Sequence, residues 1–323
     1  MAAPIAHGGG LIAAQHRYPD APRPWLDLST GINPIAYPMP PLPQSAFTRL
    51  PEPEAVAALE ALAARTYGVA DPACVVAAPG TQVLIHLLPR LIPRTTVAVI
   101  APTYAEHHAA WAQAGHDVSD APGFATANAA ITVTVRPNNP DGRVDPAAAL
   151  IPLAGPGRLL VVDEAFADLE ACSLSAMLPH PRLILLRSFG KTYGLAGVRL
   201  GFALTAPALA AGLRQALGPW SVSGPALLAG QAALADAAWR AATTLHLTHD
   251  AARLDATLRN AGCHIVGGTR LFRLASHPQA PALATRLAQA GILVRQFAAN
   301  PTWLRFGLPG TDPDWTRLHS ALA

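Results

Sequence analysis

Short apolar runs and helix-spaced stretches alternate through the middle of the chain. Runs rich in Val, Ile and Leu stand at 75–78, 96–100, 131–135, 159–162 and 183–186, with a further one at 200–204. Most are continuous rather than alternating, the pattern of a strand covered on both faces. Helical spacing separates them: 53–67, a segment ending at Leu91 that starts just after Pro79-Gly80-Thr81-Gln82, 104–114 and 146–151. Strands alternating with helices predict an α/β fold with a mainly parallel central sheet. Ligands of such sheets bind beyond the carboxyl ends of the strands. Thr81, Tyr104, Asn139, Asp163, Ser188 and Lys191 all lie there.

The pattern changes toward both ends. The first fifty residues, with His7-Gly8-Gly9-Gly10 and the stretch from Asp27 to Pro34, hold too much Gly and Pro for a long helix. Trp25, Leu26, Leu28 and Ile32 nevertheless interleave with polar residues, as in a tethered segment rather than a loose arm. Past Pro225, 226–261 reads as one or two long helices, 271–274, 293–297 and 303–307 as short strands, and 281–290 and 313–322 as helices with a proline in the first turn. The expected division is 1–45 as an N-terminal arm and part of a small domain, 46–215 as the large domain, and 216–323 as a smaller C-terminal α/β domain.

Composition narrows the classes. Of 323 residues 51% are hydrophobic and 13% charged, enough to bury a large core. The formal net charge is +3, with arginines spread and no basic run or aromatic interleaving, so nucleic acid is a poor partner. No apolar run reaches about 18 residues, and none is expected to span a membrane. The start lacks a basic and then apolar leader, so no signal peptide is expected. Cys74, Cys172 and Cys263 show neither pairing nor metal spacing, which suits a reducing, cytoplasmic setting. His107-His108 and the His246/His249 pair share no carboxylate at metal-ligand spacing; they read as solvated helix faces, with no metal.

The segment from Arg187 to Phe202 carries Ser188, Lys191, Arg199 and several glycines between two buried runs. Low-polarity walls around Lys191 would suit Schiff-base chemistry, and Ser188 and Arg199 would suit an anionic phosphate. A Gly-rich surface turn with a solvated lysine is the other reading. Gly80, Thr81 and Gln82 open a helix whose free N–H groups favour an anion. Other residues also stay open on this ground alone: Asp163 as a helix cap, Asn139 as a turn residue, Tyr104 as a core aromatic, Tyr67 as a helix-end aromatic and Arg295 as a surface residue.

Ser188-Phe189-Gly190-Lys191 with Arg199 resembles the pyridoxal-phosphate lysine motif of the fold-type I aminotransferase superfamily (class I/II). Asn138-Asn139-Pro140-Asp141-Gly142 resembles that family's Asn-Pro-x-Gly segment, and Val162-Asp163-Glu164-Ala165-Phe166 its Asp-Glu-Ala-Tyr/Phe segment. The likeness covers nearly the whole chain. His7-Gly8-Gly9, the stretch 27–34 and Leu304-Arg305-Phe306-Gly307-Leu308-Pro309 make it similar to the threonine-phosphate decarboxylases of cobalamin synthesis, relatives of histidinol-phosphate aminotransferase.

The resemblance implies the PLP-dependent transferase fold type I and a homodimer using pyridoxal 5'-phosphate on a small phosphorylated amino acid. The implied reaction is decarboxylation of L-threonine O-3-phosphate to (R)-1-amino-2-propanol O-2-phosphate. The alternative is transamination of the histidinol-phosphate type, and a third reading is a non-catalytic binding module. Lys191 and Asp163 would be catalytic, Lys191 bonded to the cofactor and Asp163 paired with its ring nitrogen. Asn139, Tyr104 and Phe166 would line the ring; Gly80, Thr81, Gln82, Ser188 and Arg199 would hold its phosphate, with Tyr67 reaching the neighbouring subunit's. Arg305 would take the substrate carboxylate, and His7, Gly8, Asn33, Asn139 and Arg295 the rest of the substrate. Gly10 and Arg136 depart from the family pattern and bear on substrate recognition.

Overall fold

The computed structural model describes residues 7–323. They divide into two compact units. The larger comprises Ala36–Asn139 and Arg143–Arg240; the smaller comprises residues up to Ile35, Pro140–Gly142 and Ala241–Ala323.

The first strand, β1 (Leu26–Leu28), belongs to the smaller unit. The larger unit supplies β2 (Val75–Ala78), β3 (Thr96–Ile100), β4 (Asp117–Ala121), β5 (Ile131–Val135), β6 (Leu159–Asp163), β7 (Leu183–Ser188) and β8 (Gly201–Thr205). These make one seven-stranded sheet in the order β2-β8-β7-β6-β5-β3-β4. Strands β3 to β7 pair in parallel, and β8 is antiparallel to both β2 and β7. Every residue of β5 and β8 is buried, and the threonines that interrupt their apolar runs, Thr132, Thr134 and Thr205, are buried with them. Leu160, Val162, Leu185 and Leu204 pack with Leu59 and Ala63 of the helix Pro53–Tyr67 on one face. Val161, Ile184, Leu186 and Ala203 pack on the other face with Leu84, Ile85 and Leu88 of the helix Thr81–Leu91.

The edge strand β4 has no apolar run to announce it: Asp117, Ser119 and Asp120 are exposed and it has one neighbour. The larger unit also holds residues 216–240, grouped with the C-terminal domain in the sequence reading. Gly230 of the helix Gly224–Ala235 lies so close to Leu59 and Leu200 that a Cβ there would stand 2.8 and 2.7 Å from their methyl carbons.

The smaller unit adds β9 (His264–Thr269), β10 (Phe272–Ser276), β11 (Ile292–Gln296) and β12 (Trp303–Gly307), ordered β1-β11-β12-β10-β9. Strand β1 lies parallel on β11, so Leu26, Asp27 and Leu28 tether the N-terminal segment as its apolar–polar interleaving predicts. The short helix Leu11–Arg17 is all the helix that the Gly- and Pro-rich start forms before β1 among the described residues.

An ionic cluster is buried beside β6 and β7. Glu164 accepts from Arg187 Nη1 at 2.7 Å, from the Ser173 hydroxyl at 2.7 Å and from the Leu174 N–H at 2.7 Å. A second Arg187 nitrogen stands 2.5 Å from Asp168. Glu164→Ala would leave Arg187 buried with half its partners, so we expect a loss of about 3–5 kcal/mol. Urea unfolding followed by circular dichroism measures it; an unchanged midpoint would count against the cluster.

Candidate active site

The site in the larger unit forms where β2, β3, β5, β6 and β7 end. Asp163 is the last residue of β6 and is 3% exposed. Its Oδ1 accepts from the Ala165 N–H at 2.9 Å, and its Oδ2 accepts from His107 Nε2 at 3.0 Å. Burial by itself would raise its pKa. The His107 hydrogen bond and charge, the Lys191 charge and the Ala165 N–H outweigh burial and hold the carboxyl below its ordinary value of 3.8. His107 is therefore a correction to the sequence reading. It does not lie on a solvated face; it is buried, and it makes the largest contribution that lowers the Asp163 pKa. The only sequence signal for it was its place one helical turn beyond Tyr104.

Lys191 lies in the single helical turn Phe189–Thr192 that follows β7, not in an open loop. Its Nζ stands 4.7 Å from the centroid of the Phe166 ring. Phe166 itself is buried. A Cβ on Gly190 would lie 2.7 Å from Ala196 Cα, so this turn is pressed against the segment behind it and only glycine fits. The Tyr104 ring meets His107 edge-on at 6.0 Å. Asn138 belongs to the quoted motif, and its role comes from the structure. Its amide donates to the Pro102 carbonyl at 2.9 Å and its Oδ1 accepts from Thr103 at 2.7 Å, tying the turn that carries Tyr104 to the one that carries Asn139.

The end of the site at Gly80 is a cradle of close approaches. Gly80 caps the helix Thr81–Leu91 with φ of +86°, and a Cβ there would meet Arg199 Nη2 at 2.7 Å. A Cβ on Gly201 would meet the Thr81 nitrogen at 2.7 Å. Arg199 holds a left-handed φ of 56° and donates to the Ala196 carbonyl at 3.0 Å. A non-glycine residue there is strained, a cost tolerated where the surrounding structure over-determines the backbone. Ser188, ending β7, pairs with Gly201 across the sheet. Guanidinium, hydroxyl and helix N–H groups gathered around two obligatory glycines fit a phosphate ester.

Tyr67 is a second correction. It is 6% exposed and sits within the larger unit's core, with the Arg187 guanidinium 4.5 Å from its ring centroid and Phe202 edge-on at 5.7 Å. Burial, then the Asp168 charge, push its hydroxyl pKa well up. A side chain enclosed this way does not reach a neighbouring subunit.

The expected substrate residues other than Asn139 lie in the smaller unit. Arg295 and Arg305 stand directly opposite in the β11–β12 ladder, so both face the same side of that sheet. Arg305 is buried, donates to the Ser29 carbonyl at 3.0 Å and lies 5.1 Å from the Phe272 centroid. Ser29 also accepts from the Gly9 N–H at 2.7 Å and donates to Asp27 at 2.5 Å. A Cβ on Gly8 would run into the Ser29 carbonyl, which explains a glycine there. Asn33 is buried and accepts from the Ile35 N–H at 2.9 Å, the fixed turn its position before Pro34 suggests. His7 is exposed.

The sequence pattern of the aminotransferase class I and II family matches residues 41–322. The chain belongs to this family. A threonine-phosphate decarboxylase from Sinorhizobium sp is 44% identical, over 100% of this chain and 99% of that protein. A threonine-phosphate decarboxylase from Pseudomonas aeruginosa is 42% identical, over 98% of this chain and 97% of its own. The histidinol-phosphate aminotransferase of Sinorhizobium meliloti, solved in complex with pyridoxal-5'-phosphate, superposes with a TM-score of 0.82 at 22% identity, covering 99% of this chain and 94% of that one. The family's fold type I is thus the fold of this chain.

The lowered pKa of Asp163 makes a pH prediction. Its folded value lies below the unfolded one, so its contribution to stability is present above about pH 4 and is lost as pH falls through the folded value. His107→Ala removes the largest lowering contribution, and acid unfolding should begin at a higher pH. His107→Gln retains a donor and should shift less. Ellipticity recorded across the acid range tests this; superimposable curves for wild type and His107→Ala would remove His107 from the account.

Proposed function

We propose that this chain is a pyridoxal 5'-phosphate-dependent decarboxylase of L-threonine O-3-phosphate, forming (R)-1-amino-2-propanol O-2-phosphate and CO2 for cobalamin synthesis. The observation that carries this reading is the full-length identity, at 44% and 42%, with two threonine-phosphate decarboxylases. The glycine cradle and the ionised, buried Asp163 fit the cofactor independently of those names. Lys191 would bind it covalently, Asp163 would hold its ring nitrogen protonated, Asn139, Phe166 and Tyr104 would flank the ring, and Gly80, Thr81, Gln82, Ser188 and Arg199 would hold its phosphate. When bound, pyridoxal 5'-phosphate supplies an electron sink for a bond broken at the substrate Cα.

The chain's own residues then have two tasks. The first is orientation, because decarboxylation requires the Cα–carboxylate bond, not Cα–H, to be presented for cleavage. Two guanidinium groups opposite each other on one sheet face suit a substrate with two anionic ends. Arg305 takes the carboxylate, and Arg295 with His7, Gly8 and Asn33 takes the phosphate. The second is proton delivery. Loss of CO2 leaves Cα one proton short, and the Lys191 ammonium is the donor proposed for it.

The enzyme is proposed to act in the cytoplasm as a homodimer. Free cysteines at 74, 172 and 263 fit a reducing compartment. Phe47 and Leu50, each 63% exposed in the larger unit, fit a surface that a second copy covers.

Borohydride reduction of the yellow holoenzyme should fix the cofactor on Lys191, and Lys191→Ala should lose turnover; label on another lysine would end the assignment. Wild type should release CO2 from threonine phosphate and should not transfer its amino group to 2-oxoglutarate. The reverse result would replace decarboxylation by transamination. Arg295→Ala should lower kcat/KM for threonine phosphate roughly ten- to a hundredfold, a lost charge-assisted pair, while unphosphorylated threonine stays poor with both enzymes. Sedimentation at micromolar concentration should give a dimer, and an active monomer would contradict the proposed assembly.

A further inference from the structure

Next to Tyr104 lies a polar cluster that cofactor chemistry does not itself require. Gln82 and His86 stand one turn apart on the helix Thr81–Leu91 and face Glu106, in the first turn of the helix Glu106–Gln113. The Tyr104 hydroxyl donates to Gln82 Oε1 at 3.1 Å, and Gln82 Nε2 donates to Glu106 Oε2 at 3.0 Å. The same Glu106 oxygen lies 3.2 Å from His86 Nε2, itself 3.1 Å from Gln82 Nε2. The side chains of Glu106 and His86 are 12% and 33% exposed, so the chain of contacts runs from solvent inward to Tyr104.

The direction of this chain is set at one point. An ionised carboxylate can only accept, so the Gln82 NH2 must face Glu106. The opposite end of that amide is then its oxygen, and the oxygen meets Tyr104 as an acceptor. Without the carboxylate the amide has two nearly equivalent orientations, and the Tyr104 hydroxyl loses a fixed partner. We propose that Glu106 is a positioning residue: through Gln82 it fixes the Tyr104 ring against which the cofactor packs. His86 supports it by sharing the same carboxylate oxygen.

The proposal rests on the reading of Tyr104 as a cofactor contact, and its test separates the two. Apoenzyme is titrated with pyridoxal 5'-phosphate, read by tryptophan fluorescence, for wild type, Glu106→Gln, Tyr104→Phe and the double variant. Each single change should raise the dissociation constant about tenfold, the worth of one charge-assisted contact. The double variant should be weakened about tenfold as well, not a hundredfold, because both changes break one chain. The visible band of the Glu106→Gln holoenzyme should shift, and the KM for threonine phosphate should stay near the wild-type value. Additive losses, or wild-type affinity in Glu106→Gln, overturn the proposal. If Glu106→Gln does not fold, Gln82→Leu enters the same cycle with the same two outcomes. If Tyr104→Phe alone leaves affinity unchanged while Lys191 still takes the borohydride label, the role assigned to Tyr104 fails and Glu106 falls with it. If wild type itself binds no cofactor, the functional reading fails instead.

Discussion

A negative charge kept at the buried end of a central strand is the condition on which the rest of this site depends. Asp163 lies in surroundings that would protonate an isolated carboxyl. It stays ionised because a histidine, a lysine and a backbone N–H each stabilise the charged form. Each of them has to be held in place by something else. His107 is held by a helix packed on one face of the sheet, with Trp111 a turn further along buried in the same layer. Lys191 is held by a turn that Gly190 presses against Ala196. The Ala165 N–H comes from the chain turning back at the end of β6.

The next residue extends the same logic away from the site. Glu164 is fully buried and directed to Arg187, Ser173 and the Leu174 N–H. Arg187 also meets Asp168 and covers the Tyr67 ring. Ion pairs of this kind add little net stability, since desolvation offsets much of the attraction. What they supply is a single permitted arrangement, because any displacement strands a charge. The two adjacent acidic residues thus do different work: Asp163 pairs with His107 at the strand end, and Glu164 anchors the strand through Arg187.

Much of the larger unit was legible in the order of residues. Strands buried on both faces are rich in apolar residues, so β2, β3, β5, β6, β7 and β8 announce themselves within a residue or two. The edge strand β4 does not, because one side of it faces water and its residues are polar. In the smaller unit β9 was equally silent, its central glycines carrying no apolar signal. The glycines at 80, 190 and 201 could be flagged as unusual, but not explained. Their reason is the atom that a Cβ would strike, and each of those atoms is distant in sequence or belongs to a folded turn.

The motifs by themselves determined the family, the parallel sheet and the residue types gathered beyond its strand ends, since these follow from local pattern and spacing. Only the tertiary structure decided what each polar residue does. His107 and His108 are neighbours with the same side chain, yet one is buried against Asp163 and the other pairs with Asp120 on the surface. Tyr67 ends a helix as expected, but the ring is enclosed by Arg187 and Phe202, which come from other strands. Gln82 was an anion-site residue by position, and its link to Glu106 and Tyr104 exists only because two helices bring them together. A side chain's charge and its hydrogen-bond direction are set by the atoms around it. Those atoms arrive from distant parts of the chain and leave no mark in local spacing.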